Sequence, residues 1–251
     1  MREWSGKRYW LVGASQGLGR AVAHELSKTG AELILSARSE DELNALSDEL
    51  PGKSQVVPID VANADSVAKA ADTAGRIDGV VFLAGLYWPL KASEFDGEKV
   101  ATMLDVNLTG AARVLGHVLP PMIERDAGHI VLTGSLSGFR GLPGANGYGA
   151  SKAGFMSLAE TLYADLRTSG IDVQLINPGF INTRQTEKNE ISMPFIMEPE
   201  DAARLFVDHM QGDDFARNYP RQYAALFRLS LLYTSPSPRD STLDLVCRLL
   251  R

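Results

Sequence analysis

The stretch Tyr9-Trp10-Leu11-Val12-Gly13-Ala14-Ser15-Gln16-Gly17-Leu18-Gly19 decides the fold. An apolar run enters a turn holding three glycines, and Leu18, Val22 and Leu26 then recur at i, i+4 and i+8. That pattern predicts a strand, a glycine turn and an amphipathic helix. Glycine lets the backbone adopt positive φ and lets a ligand approach with no Cβ in the way. The helix behind such a turn points free N–H groups and a partial positive charge at it. A pyrophosphate is the natural occupant. The alternative is a plain strand–helix turn, and the alternation of elements further along the chain weighs against it.

Working outward, five more short apolar runs follow: Leu33–Leu35, Gln55–Ile59, Val80–Leu83, His129–Thr133 and Val173–Ile176. Each is rich in Val, Ile and Leu, as strands buried on both faces require. Helical stripes lie between them, with Leu43, Leu46 and Leu50 on one and Phe155, Leu158, Leu162 and Leu166 on another. Strands alternating with helices imply right-handed crossovers. The expected fold is a doubly wound parallel α/β sheet, Rossmann-like, in a single domain over residues 1–230.

The composition agrees with this reading. The chain has 251 residues, 45% of them hydrophobic, and a net charge of −6. A chain of this length buries enough surface to fold without staples. The single cysteine, Cys247, excludes a disulfide framework and a cysteine-based zinc site. The acidic balance and the absence of a basic stripe argue against nucleic acid as a partner. No uncharged run is long enough to span a membrane, and residues 1–10 carry Arg2, Glu3, Lys7 and Arg8 where a signal peptide would be apolar. The expected setting is the cytoplasm. His24, His117, His129 and His209 show no metal-ligand spacing, so no metal is expected. The string Leu231–Asp240, LLYTSPSPRD, departs from everything before it. It resembles the conceptual translation of a sequencing adapter, which makes residues 231–251 a suspected non-native tail lacking stable packing. A Ser-Pro turn leading to a short helix with Leu243, Val246 and Leu250 on one face is the other reading.

The chemistry is written in Tyr148-Gly149-Ala150-Ser151-Lys152. Residues four apart on a helix share a face. An ammonium near a phenol favours the phenolate. Lowering the tyrosine pKa by about three units takes roughly 4 kcal/mol, and the phenol then exchanges protons near neutral pH. The expectation is a Tyr148 pKa depressed by Lys152 together with an oxidised nicotinamide ring.

The glycine spacing G-x3-G-x-G together with Tyr-x3-Lys resembles the short-chain dehydrogenase/reductase family over about residues 8–230. The resemblance implies an enzyme that interconverts a carbonyl and an alcohol with a nicotinamide cofactor. Tyr148 would be the proton donor, Lys152 the ribose ligand and Ser135 the residue that orients the carbonyl oxygen. Asn107 would hold, on its side chain, a water that relays protons. The cofactor would lie on Gly13, Ser15, Gln16, Gly17, Leu18 and Gly19. Asp60 and Val61 would meet the adenine edge, and Ala84 and Gly85 the ribose. The turn Pro178-Gly179-Phe180-Ile181-Asn182-Thr183 would fix the nicotinamide through Ile181 and Thr183, beside Tyr148 and Lys152. The chain departs from the family pattern at Val12, commonly Thr, at Leu83, commonly Asn, and at Gly134, commonly Ser. A homo-oligomer is implied as well.

No carboxylate stands at the end of the second strand, where it would bind a ribose diol; Ala37 and Arg38 stand there instead. A guanidinium there pairs with a 2′-phosphate, so NADP(H) is expected over NAD(H), with Ser36 and Ser39 adding hydroxyl contacts. A solvated Arg38 paired with Glu40 or Asp41 is the alternative. The substrate is expected to be a small apolar ketone, aldehyde or alcohol. Tyr87, Trp88 and Pro89, with Met193, Phe195, Ile196 and Met197, either line its pocket or pack elsewhere. The rival function is a protein that senses NADP(H) without turnover.

Overall fold

Each strand of the sheet alternates its side chains between two helical layers. The computed structural model describes residues 2–188 and 193–233, with residues 188 and 228–233 as backbone only. Seven strands are described: β1 (Arg8–Val12), β2 (Glu32–Ser36), β3 (Ser54–Val56), β4 (Gly79–Phe82), β5 (Gly128–Thr133), β6 (Ile171–Pro178) and β7 (Ala216–Tyr219). All pair in parallel, in the order β3-β2-β1-β4-β5-β6-β7. The helices are α1 (Gly17–Ser27), α2 (Glu40–Glu49), α3 (Ala64–Ala74), α4 (Gly97–Leu104), α5 (Gly110–Glu124), α6 (Asn146–Leu166), α7 (Pro199–Met210) and α8 (Arg221–Tyr233). Trp10, Val12, Val80, Phe82, Ile130 and Leu132 pack with α3, α5 and α6 on one face. Tyr9, Leu11, Val81, Val131 and Ile176 pack with α1, α2 and α7 on the other. The doubly wound parallel sheet expected from the sequence is the one present, and no helix among the described residues is long and apolar enough to cross a membrane.

The order reverses at β1, which lies between β2 and β4, and opens a crevice at the strands' carboxyl ends. Gly13 turns the chain there with φ +101, and its N–H donates to Ser36 O at 2.7 Å. A Cβ on Gly13 would lie 2.4 Å from Ala84 N, so the β1 and β4 exits approach as closely as they do because residue 13 is glycine. Gly19 seats α1 on the same turn, since a Cβ there would strike Gly13 O.

Two strands differ from expectation. The third ends at Val56 rather than Ile59, because Pro58 has no N–H to pair. Val57 and Ile59 still donate to Leu35 O and Ala37 O. The sequence reading did not find β7, a four-residue edge strand reading Ala-Arg-Asn-Tyr. α8 runs through residue 230, the expected domain boundary, to Tyr233. The expected unpacked tail, with Leu243 and Val246, lies outside the described residues.

Candidate active site

The floor of the crevice is the N-terminus of α1. Helices α2, α3 and α4 are capped by the side chains of Ser39, Asn63 and Asp96, and each carries acid in its first turn. α1 has neither, because Gln16 at its N-cap makes no capping bond. Its first N–H groups are therefore open to an anion, as a bound pyrophosphate requires. The Gln16 amide instead donates to Glu42 Oε1 at 2.5 Å, and Arg184 stands 3.8 Å from the same carboxylate. Thr183 closes on the glycine turn, with its methyl 2.9 Å from where a Cβ on Gly17 would be. Gln185 donates to Gly85 O at 2.7 Å. Ser15 and Leu18 are partly buried beside them, and Leu18 packs into the α1 core.

Arg38 is exposed at the end of β2 and, among the described residues, pairs with neither Glu40 nor Asp41. Of the expected hydroxyl contacts from its neighbours, that of Ser36 is not available, whereas Ser39 keeps its O–H to donate. Ser36 is fully buried, donating to Val57 O at 2.5 Å and accepting from Trp10 Nε1 at 2.8 Å. Ser39 accepts from Glu42 N as the cap of α2. Asp60 is exposed and closes its own turn, accepting from Ala62 N at 3.0 Å. Val61 is buried against Gly110, and its carbonyl accepts from Arg113. Ala84 and Gly85 leave β4 into the crevice, and a Cβ on Gly85 would be 3.9 Å from Lys152 Nζ.

Helix α6 carries Tyr148 and Lys152 one turn apart, and β5 delivers Ser135 beside them. The Ser135 side chain stands close enough to the Tyr148 phenol to favour its ionised form, and accepts from Ser137 N at 3.1 Å. Lys152 is buried; its Nζ donates to Thr133 O at 2.8 Å and lies 5.8 Å from the Tyr148 ring centroid. Tyr87 meets the Tyr148 ring edge-on at 5.0 Å. Burial pushes the Lys152 ammonium down to about 8. Burial also pushes the Tyr148 phenol up, and the Ser135 side chain opposes that only in part. The depressed tyrosine was expected with an oxidised nicotinamide ring beside the ammonium; in the protein alone, burial dominates and holds the phenol above its ordinary value.

Asn107 is fully buried in a π-turn, Asp105–Thr109, that joins α4 to α5. Its Oδ1 accepts from Leu86 N at 2.6 Å, and its Nδ2 donates to Leu86 O and to Ser151 Oγ, both at 2.9 Å. Ser151 in turn donates to Tyr148 O at 2.7 Å. Both Nδ2 hydrogens are thus spent on protein partners, tying the β4 exit to the first turn of α6, while Oδ1 has taken one of the two bonds it can accept and keeps a lone pair for the expected relay water. Leu86 and Ser151 are site residues the sequence reading missed, since only the folded chain pairs them. Gly134 also gains a reason: a Cβ there would strike the side chain of Asn177. β6 ends at Pro178; Gly179 packs under Tyr223, and Ile181 is buried and bridged to Met197.

A crevice floored by an uncapped helix, with tyrosine, lysine and serine gathered above it, defines a nucleotide-dependent oxidoreductase site. The short chain dehydrogenase family profile matches residues 7–193. An uncharacterized oxidoreductase of Myxococcus xanthus is 38% identical, covering 94% of this chain and 96% of its own length. One of Staphylococcus epidermidis is 35% identical over 201 residues, covering 78% of this chain and 87% of its own. The crystal structure of a short-chain dehydrogenase from Streptomyces avermitilis superposes with a TM-score of 0.82 at 24% identity, covering 91% of this chain and 93% of that one, and shares the fold. The chain belongs to the short-chain dehydrogenase/reductase family and is an NAD(P)-dependent oxidoreductase.

Proposed function

We propose that this chain reduces ketones or aldehydes to alcohols, reversibly, with preference for NADPH. The observation that carries the proposal is the Tyr148 phenol, beside Ser135 and one helical turn from buried Lys152. The open N–H groups of α1 would hold the cofactor's pyrophosphate, and Lys152, beside Gly85, its ribose. Bound NADPH supplies hydride to the carbonyl carbon. The chain's own groups do the rest. Ser135 Oγ and Tyr148 Oη converge on the carbonyl oxygen and hold it. As that oxygen gains negative charge, the phenol gives up its proton to it. The Lys152 ammonium offsets charge left on the phenolate. Asn107 and Ser151 position Tyr148 by fixing its backbone. The gathering of all these groups argues against a protein that only senses the cofactor.

The exposed Arg38 guanidinium, without an ion-pair partner among the described residues, supports the NADPH preference. Arg38→Asp is expected to lower the NADPH-to-NADH ratio of kcat/KM by about 10- to 100-fold, the worth of one charge-assisted hydrogen bond. Initial rates with both cofactors on a panel of ketones test this, and an unchanged ratio would refute it. An apolar substrate, self-assembly, a cytoplasmic setting, a catalytic domain of residues 1–230 and a non-native tail of residues 231–251 belong to the same reading.

A further inference from the structure

An aromatic box adjoins the catalytic serine. Leu136, next to Ser135, is buried with Tyr223, Ala224 and Phe227 of α8. Phe180, next to Gly179, stacks on Tyr223 at 5.7 Å and 25°. Phe227 meets Tyr223 edge-on at 5.1 Å, and Phe195 approaches at 6.3 Å. Phe180 is only partly buried and Phe195 is 52% exposed, so these two rings form the outer wall of the box.

Tyr223 itself is 2% exposed, and its hydroxyl has no hydrogen-bond partner among the described residues. A buried orphan hydroxyl costs about 1–3 kcal/mol. Phenylalanine would fill the same box without that cost. The similarly unpartnered Tyr219 packs into the separate core shared with α1 and α7, whereas Tyr223 touches Gly179 and stands among residues adjacent to the catalytic loops.

We infer that the Tyr223 hydroxyl donates a hydrogen bond to the substrate. The substrate class is then a ketone bearing a flat apolar ring, with an acceptor atom at the end away from the carbonyl. The rings of Phe180 and Phe195 stack on that ring, and the carbonyl reaches Ser135 and Tyr148. This inference rests on the reductase reading.

The test uses the full chain, NADPH, and two matched ketones: benzylacetone and its para-methoxy derivative. Tyr223→Phe is expected to raise KM for the methoxy ketone about tenfold, the worth of one neutral hydrogen bond. It should leave kcat, and KM for benzylacetone, unchanged. The melting temperature should not fall, since the orphan group is gone. Calorimetric titration of each ketone into the chain saturated with NADP+ reads the same preference without turnover. Equal changes for both ketones, or none, would overturn the inference, as would equal binding of the two by the unmodified chain. If neither ketone is reduced, yet the binding preference is present and vanishes in Tyr223→Phe, the reductase reading falls and the Tyr223 contact stands.

Discussion

Tyr148→Phe is expected to lower kcat for ketone reduction by about 100- to 10,000-fold, the usual contribution of a positioned general acid. The ring would keep its edge-on contact with Tyr87 at 5.0 Å. Only the hydroxyl beside Ser135 would be lost. Lys152 would still donate to Thr133 O, and the N-terminus of α1 would be untouched. NADPH binding should therefore change less than threefold, a shift of under ~0.7 kcal/mol. Cofactor fluorescence titration and initial rates on the same preparation separate the two effects. Turnover within tenfold of the unmodified chain would remove Tyr148 from the chemistry.

Lys152→Met should separate activity from stability. The ammonium is buried, and its pKa of about 8 lies well below the ordinary lysine value of about 10.4. Holding it charged at neutral pH works against the fold. Methionine fills similar volume and needs no proton. It leaves Thr133 O without its donor, which offsets part of the gain. The variant should melt no lower than the unmodified chain at pH 7, while kcat/KM falls at least about 100-fold, the lower range for a group acting on proton transfer. The sign of the pH effect follows from linkage. Between the folded value and the unfolded one, the unfolded chain binds more protons, so the unmodified chain gains stability as pH rises from about 8 towards 10. The variant lacks that slope, and its relative advantage should shrink over the same window. Calorimetric melting across pH 7–10 checks this; a variant that melts well below the unmodified chain at pH 7 would show that the Thr133 bond outweighs the buried charge.

The parts of this fold legible in the sequence are those whose cause is local. Gly13 and Gly19 follow a strand and open a helix, so turn and crevice were foreseeable, as were the six apolar strands. β7 was not, because a short edge strand reading Ala-Arg-Asn-Tyr has no apolar run to mark it. In the site, Tyr148, Lys152 and Ser135 were legible by spacing. The protein partners of Asn107 were not, since Leu86 lies 21 residues away and Ser151 lies 44 away. Ser36 looked like a phosphate contact at a strand end, yet it folds inward onto Trp10. The upward shift of Tyr148 in the protein alone was not legible for a related reason: sequence spacing sets a charge beside the phenol but not the depth at which the phenol is buried. Pocket-lining aromatics such as Phe180 and Tyr223 come from separate elements, and no local pattern joins them.

The central claim is that burial keeps Tyr148 a neutral phenol, ready to donate, even with an ammonium close by. A nuclear magnetic resonance titration of the chain labelled at tyrosine Cζ, with Tyr148→Phe to assign the resonance, reads this directly. The Tyr148 signal should stay that of the phenol through neutral pH and ionise only above the ordinary tyrosine value of about 10. A Tyr148 signal already that of the phenolate near pH 7 would contradict it.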